Sequence, residues 1–156
     1  KISYFEEDMT DFSLHKPADV VLCICDSMNY LLSTEEIFAM FRCIKEALAE
    51  DGVAILDMKT AYCFQKVMGN QTRVDETEEA LMIWDNTYDE ETCINEYLLT
   101  IFTEDKATGM YARYDECHEQ RAYTEDEIKS CLKETSLRLV KSWTEDEVRT
   151  YFVIQR

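Results

Sequence analysis

Apolar and polar positions alternate in distinct rhythms along this chain, and each rhythm predicts an element. Ala18-Asp19-Val20-Val21-Leu22-Cys23-Ile24-Cys25 is a nearly unbroken apolar run. Such a run is expected of a parallel strand covered on both faces, with Cys23 and Cys25 on the same side. Ser33-Thr34-Glu35-Glu36 then matches a capping box, with Ser33 as N-cap and Glu36 reaching back. Behind it Ile37, Met40, Phe41, Ile44, Ala47 and Leu48 fall on one helical face. Gly52 stands where a helix terminator is wanted, and Val53–Leu56 is a second buried strand closing on Asp57-Met58-Lys59-Thr60. Strand, helix and strand make a βαβ unit and hence a parallel sheet. Upstream, Ile2–Phe5 is a short β-prone run that ends in the acidic Glu6-Glu7-Asp8.

The rhythm changes after a short helical stretch around Tyr62–Met68. Residues 79–123 alternate through three long strand-like stretches, with Asp89-Glu90-Glu91-Thr92 and Asp105-Lys106-Ala107-Thr108-Gly109 as turns. This predicts an antiparallel meander inserted between parallel elements. Thr124-Glu125-Asp126-Glu127 is a second capping box, opening a helix that carries Ile128, Cys131 and Leu132. Two closing strands follow, Leu137–Trp143 and Thr150–Ile154. The fold class is therefore α/β, divided as 1–78, an insertion at 79–123, and 124–156 returning to the first unit.

Composition narrows the function classes. A formal charge of −17 excludes a broad basic footprint for bulk nucleic acid and disfavours anionic membrane surfaces. No run of eighteen apolar residues is present, so no membrane span is expected. The seven cysteines are odd in number and lack disulfide or zinc spacing, which predicts reduced thiols, a cytoplasmic setting and no metal site.

Four stretches carry a family resemblance: Glu7-Asp8-Met9-Thr10-Asp11-Phe12; Ala18–Val21 running into Cys25-Asp26-Ser27-Met28-Asn29-Tyr30-Leu31; Leu48-Ala49-Glu50-Asp51-Gly52-Val53; and Tyr114–Tyr123. In these the chain resembles the class I S-adenosylmethionine (SAM)-dependent methyltransferases, most specifically in its Asp-Ser-x-Asn-Tyr. It is similar to a subgroup of small bacterial methyltransferases with a β insertion after the fifth strand. The resemblance implies a Rossmann-like fold, SAM as cofactor and methyl transfer to a nucleophile, expected to be a small molecule. Lys59 and Ser136 depart from the small or amide residue and the glycine that the family usually has there.

The resemblance implies that Asp8 accepts from an adenine amino group while the Met9 N–H donates to a ring nitrogen; the plain alternative is a solvated acidic turn. Asp26, Ser27 and Asn29 leave a strand at the edge where open α/β sheets bind ligands, and either contact the cofactor or cap a turn. Tyr30 either stacks or packs. In the meander, alternation puts Glu116, His118 and Gln120 on one face, with Arg121 and Tyr123 on the other. Glu116 or His118 would act as base if that face closes over the site, and Arg121 is a further substrate-side candidate. Otherwise the face is the polar exterior of a hairpin. The Met82, Trp84, Asn86, Tyr88 face reads as packing.

The family's glycine-rich first loop and its ribose-binding acid are not seen, since the three glycines stand at 52, 69 and 109. With the usual strand order 3-2-1-4-5-7-6, this leaves the chain starting at the third strand and the fourth strand with an unpaired edge. A truncated methyltransferase, inactive by itself, is the leading expectation. A rearranged first strand, self-association through exposed strand edges, and a non-catalytic scaffold module retaining the fold are the alternatives.

Overall fold

The computed structural model describes residues 2–156. Strands β1 (Ala18–Cys23), β2 (Leu48–Lys59), β7 (Arg138–Glu145) and β8 (Arg149–Gln155) form one sheet in the order β1-β2-β8-β7. β1 and β2 run parallel, whereas β8 is antiparallel to both β2 and β7. That is the 4-5-7-6 half of the expected strand order. Strands β3 (Gln71–Glu76), β4 (Ala80–Asp89), β5 (Ile94–Asp105) and β6 (Met110–Arg121) form a second, wholly antiparallel sheet.

Helix α1 (Thr34–Ala47) begins as its sequence demands. The Ser33 hydroxyl accepts from the Glu36 N–H at 3.2 Å, and Glu36 accepts from the Ser33 N–H at 2.9 Å. Thr124 and Glu127 repeat the device at α2 (Glu125–Glu134). Both helices lie on one face of the first sheet, where Ile37, Phe41 and Ile44 of α1 meet Leu56 and Met58 of β2, Phe152 of β8 and Ile128 of α2. Hydrophobic burial of these side chains is the main favourable term in holding the layer together.

Several sequence expectations give way to tertiary context. Among the described residues no helix covers the other sheet face, so Val20 and Leu22 are more than half exposed. Cys25 has left the strand with φ 61° and does not share a face with Cys23. Ile2–Phe5 forms no strand, having no neighbour with which to pair its backbone. The meander has a fourth strand, Gln71–Glu76, ahead of the start expected at residue 79. Gly52 does not cap α1, which ends at Ala47; it lies where β2 bulges between the pairings Ala18–Leu48 and Val20–Val53. A Cβ there would stand 3.0 Å from backbone atoms of Ala18 and Ala49, so any larger residue would crowd this close backbone approach.

Asn29, in the 3-10 turn Ser27–Tyr30, ties the two sheets together. It is completely buried, its amide donating to the Lys59 carbonyl at 3.1 Å and the Arg121 carbonyl at 2.8 Å. Its oxygen accepts from the Lys59 N–H at 2.8 Å. Replacing it strands three buried backbone groups. Asn29→Ala is therefore expected to cost about 2–4 kcal/mol, read as a lower denaturant midpoint.

Helix α2 ends in a Schellman motif, Leu137 N–H bonding to the Leu132 carbonyl and Ser136 N–H to that of Lys133. Ser136 takes the left-handed position with φ 57°. A side chain there costs about 1–2 kcal/mol, part of which glycine gives back as unfolded-chain entropy. Ser136→Gly is expected to raise stability by about 0.5–1 kcal/mol, visible as a higher melting temperature; a fall would contradict the assignment.

Candidate functional site

At the C-terminal end of β1 the chain turns sharply, with Cys25 and Asp26 both left-handed at φ 61° and 55°. Asp57, at the end of β2, holds this turn by accepting the Cys25 N–H at 3.0 Å and the Asp26 N–H at 2.6 Å. Two carboxylates thus meet in a largely buried place, and two cations answer them. Lys59 Nζ lies 2.9 Å from Asp26 Oδ2, and Arg149 bridges Asp26 Oδ1 at 2.7 Å and Asp57 Oδ1 at 2.5 Å. Gln120, at the end of β6, adds a 3.0 Å hydrogen bond to Asp26 Oδ2. Burial alone would raise the Asp26 carboxyl, but hydrogen bonds from Lys59, Arg149 and Gln120 outweigh it and hold it below the usual carboxylate range. Asp26 is thus committed to Lys59 and Arg149 and, through Gln120, to the meander.

Ser27 and Asn29 are spent on structure. The Ser27 hydroxyl donates to the Ile24 carbonyl at 2.8 Å. Asn29 has no exposed surface, so it positions the edge and offers nothing to a ligand in this conformation. Asp8 and Met9 lie elsewhere, on a hollow of about 200 Å³ to which Phe5, Phe12 and Leu14 also contribute. Asp8 Oδ1 accepts from the Thr10 N–H at 2.8 Å and the Thr10 hydroxyl at 2.7 Å. These bonds draw its carboxyl below the ordinary value. Glu7 also borders the hollow, and a mainly apolar lining with two carboxylates suits a flat heteroaromatic ring carrying an amino group.

The inner face of the meander meets the strand edge. Tyr97 stacks on Trp84 at 4.6 Å and on His118 at 4.7 Å, making a three-ring array across β4, β5 and β6. The Tyr30 hydroxyl bonds that of Tyr97 and lies 3.3 Å from His118 Nδ1, so this ring joins the array rather than the core. His118 Nε2 is 3.0 Å from Glu116 Oε2. Burial first, then the bond with Tyr30, pushes the Tyr97 hydroxyl above its usual range, and it stays protonated. The hairpin face expected to carry Glu116, His118 and Gln120 thus does close over the strand edge.

Arg121 does not join them. It turns to the opposite side, bonding the Leu32 carbonyl at 3.2 Å and Glu127 at 3.1 Å, with its guanidinium 4.8 Å over the Tyr123 ring. The period of two along β6 enforces this separation from His118. Its role is to anchor the meander's end to α2.

Between β3, β4 and the π-helical turn Cys63–Met68 lies a cavity of about 270 Å³. Met68, Met82 and Trp84 supply apolar walls, and Lys59, Arg73 and Asp75 supply charge. Trp84 therefore both packs, on Tyr97, and lines open space. Asp57, Arg149 and Arg73 were not singled out from sequence, whereas alternation had already put Gln120 on the His118 face. Asp57 and Arg149 had one available signal, a charged residue where a buried strand ends or begins. Arg73 had none.

No protein-family model matches the chain. A Geobacillus sp. (strain WCH70) protein named "putative methyltransferase" is 30% identical over 163 residues, covering 99% of this chain and 66% of the relative. The similarly named YqeM of Bacillus subtilis (strain 168) is 26% identical over 141 residues, covering 88% of this chain and 56% of its own. The chain thus spans just under two thirds and a little over half of these relatives. A SAM-dependent methyltransferase from Clostridium acetobutylicum ATCC 824 superposes with a TM-score of 0.85 at 24% identity, covering 96% of this chain and 62% of that one. Sequence likeness to proteins named as putative methyltransferases runs over nearly the whole chain, and the sheet in the 4-5-7-6 order with a meander over its edge is the fold of a SAM-dependent methyltransferase.

Proposed function

We propose that this chain is the C-terminal two thirds of a SAM-dependent methyltransferase acting on a small-molecule nucleophile. The observation that carries the reading is the polar strand edge at Asp26, roofed by the His118 face and bordered through Lys59 by the larger hollow. Bound SAM would supply a methyl group on a sulfonium, which passes to the acceptor as the carbon–sulfur bond breaks and S-adenosylhomocysteine leaves. The chain's own residues have alignment and proton handling to provide. Asp8 and Met9 would hold the adenine end. Asp26, inside its charge-compensated quartet, would border the sulfonium side, and Ser27 and Asn29 would fix the turn that presents it. An acceptor O–H or N–H must lose its proton, and His118 Nδ1, reached through the Tyr30 hydroxyl, is placed to take it. Glu116 stabilises the imidazolium so formed. The seven unpaired thiols support a cytoplasmic setting.

Calorimetry with SAM tests the reading on this chain and on a version extended by the residues that precede it in the encoding gene. The extended protein is expected to bind and this chain to bind far more weakly; an extended protein that fails to bind would sink the assignment. In that extended protein Asp8→Ala is expected to weaken SAM binding about tenfold or more, by loss of a charge-assisted hydrogen bond. His118→Asn, acting on the acceptor side alone, should leave SAM affinity within about twofold. Equal losses for both would remove the division of labour.

A further inference from the structure

We propose that the cavity beneath β3 and β4 takes a small ring-bearing acceptor by an acidic group, carboxylate or phosphate, paired with Arg73. The inference rests on the acceptor reading above and names the chemical class that the site prefers.

The cavity inverts the charge of the chain. Over the whole sequence acids outnumber bases 33 to 16, yet this lining holds Lys59 and Arg73 against Asp75 alone. The two cations are not equivalent. Lys59 is already committed, its ammonium 2.9 Å from Asp26 and 3.3 Å from Gln120 Oε1. Arg73 donates to the Val67 carbonyl, and among the described residues no carboxylate lies within 4.0 Å of it. A guanidinium carries five N–H donors in a fork suited to a carboxylate or phosphate, so most of its capacity is unspent.

Register fixes what stands opposite. Arg73 on β3 pairs directly with Trp84 on β4, so both side chains rise from the same face about 5 Å apart at Cβ. One face of Trp84 is taken by Tyr97 at 4.6 Å, and the indole also lines the cavity. An acid group held by Arg73 would therefore carry its ring onto the indole, with Met68 and Met82 as the walls. At about 270 Å³ the space is below the usual range for ligand clefts, about 300–1,000 Å³, which limits the occupant to roughly one ring and its substituents. Asp75, two residues along β3, faces the same space and repels a second acidic group.

The test is quenching of Trp84 fluorescence in this chain carrying Trp143→Phe, titrated with benzoate, phenyl phosphate and the neutral benzamide. At least one anion is expected to bind about tenfold tighter than benzamide, and the tighter of the two identifies the acidic group. Arg73→Gln should abolish that preference, Asp75→Asn should strengthen anion binding several-fold, and Arg113→Gln, on the exposed end of β6, should change nothing. Equal affinity for all three probes, no saturable binding, or an anion preference that survives Arg73→Gln would overturn the proposal. None of these outcomes bears on SAM binding by the extended protein, so the acceptor class and the methyltransferase reading stand or fall separately.

Discussion

Two carboxylates that cannot stay apart govern the architecture of this protein. Asp57 is needed to hold the left-handed Cys25-Asp26 turn by its amides, and that turn brings Asp26 against it. Charges placed so close, and mostly out of water, must be compensated or the turn will not form. The compensation comes from Lys59 at the end of β2 and Arg149 at the start of β8, with Gln120 of β6 as a neutral third. The ends of β1, β2, β6 and β8 therefore converge on one place, and the sheet and the meander meet there. Because two anions face two cations, the quartet is formally neutral and adds little to the chain's overall acidity.

This convergence separates what was legible in the sequence from what was not. The capping boxes at Ser33 and Thr124 and the Asp89 and Asp105 turns depend on residues within a few positions of one another, so the sequence displays them directly. The parallel pairing of β1 with β2 followed from the buried apolar runs and the rule for crossovers, whereas the strand order came only with the family resemblance. Asn29 was legible as an edge residue but not as a tether, because its partners stand 30 and 92 positions away. Alternation put Arg121 on the face opposite His118, and the structure keeps it there, away from the candidate site. β3 escaped notice because all six of its residues are exposed and polar or small, with only Val74 apolar, so no period of two appears. Gly52 misled by its position after a helix, since its need is for close backbone approach within β2 and not for a terminator.

The meander and the parallel-type sheet also divide the chemistry by the kind of structure each can offer. Strand ends and the turns between them expose backbone groups and short polar side chains, which suit recognition of a cofactor. The long antiparallel strands instead offer stiff rows of side chains at fixed spacing, and the Trp84, Tyr97 and His118 rings occupy three neighbouring strands of one such face. A site built between them has one wall set by ionic compensation and another by ring stacking. Change in the second wall need not disturb the first.

The insertion has a further consequence for the order in which the chain can assemble. β2 must find β8 across about a hundred residues, Val53 pairing with Gln155, a closure that is entropically costly if everything between them is loose. The meander between them consists of hairpins whose partners are near in sequence, such as Asp89 with Ile94 and Asp105 with Met110. Local pairing of that kind forms early and quickly. Once formed, it replaces fifty residues of wandering chain by a board four strands wide, and the distant strands are left with a short gap to close.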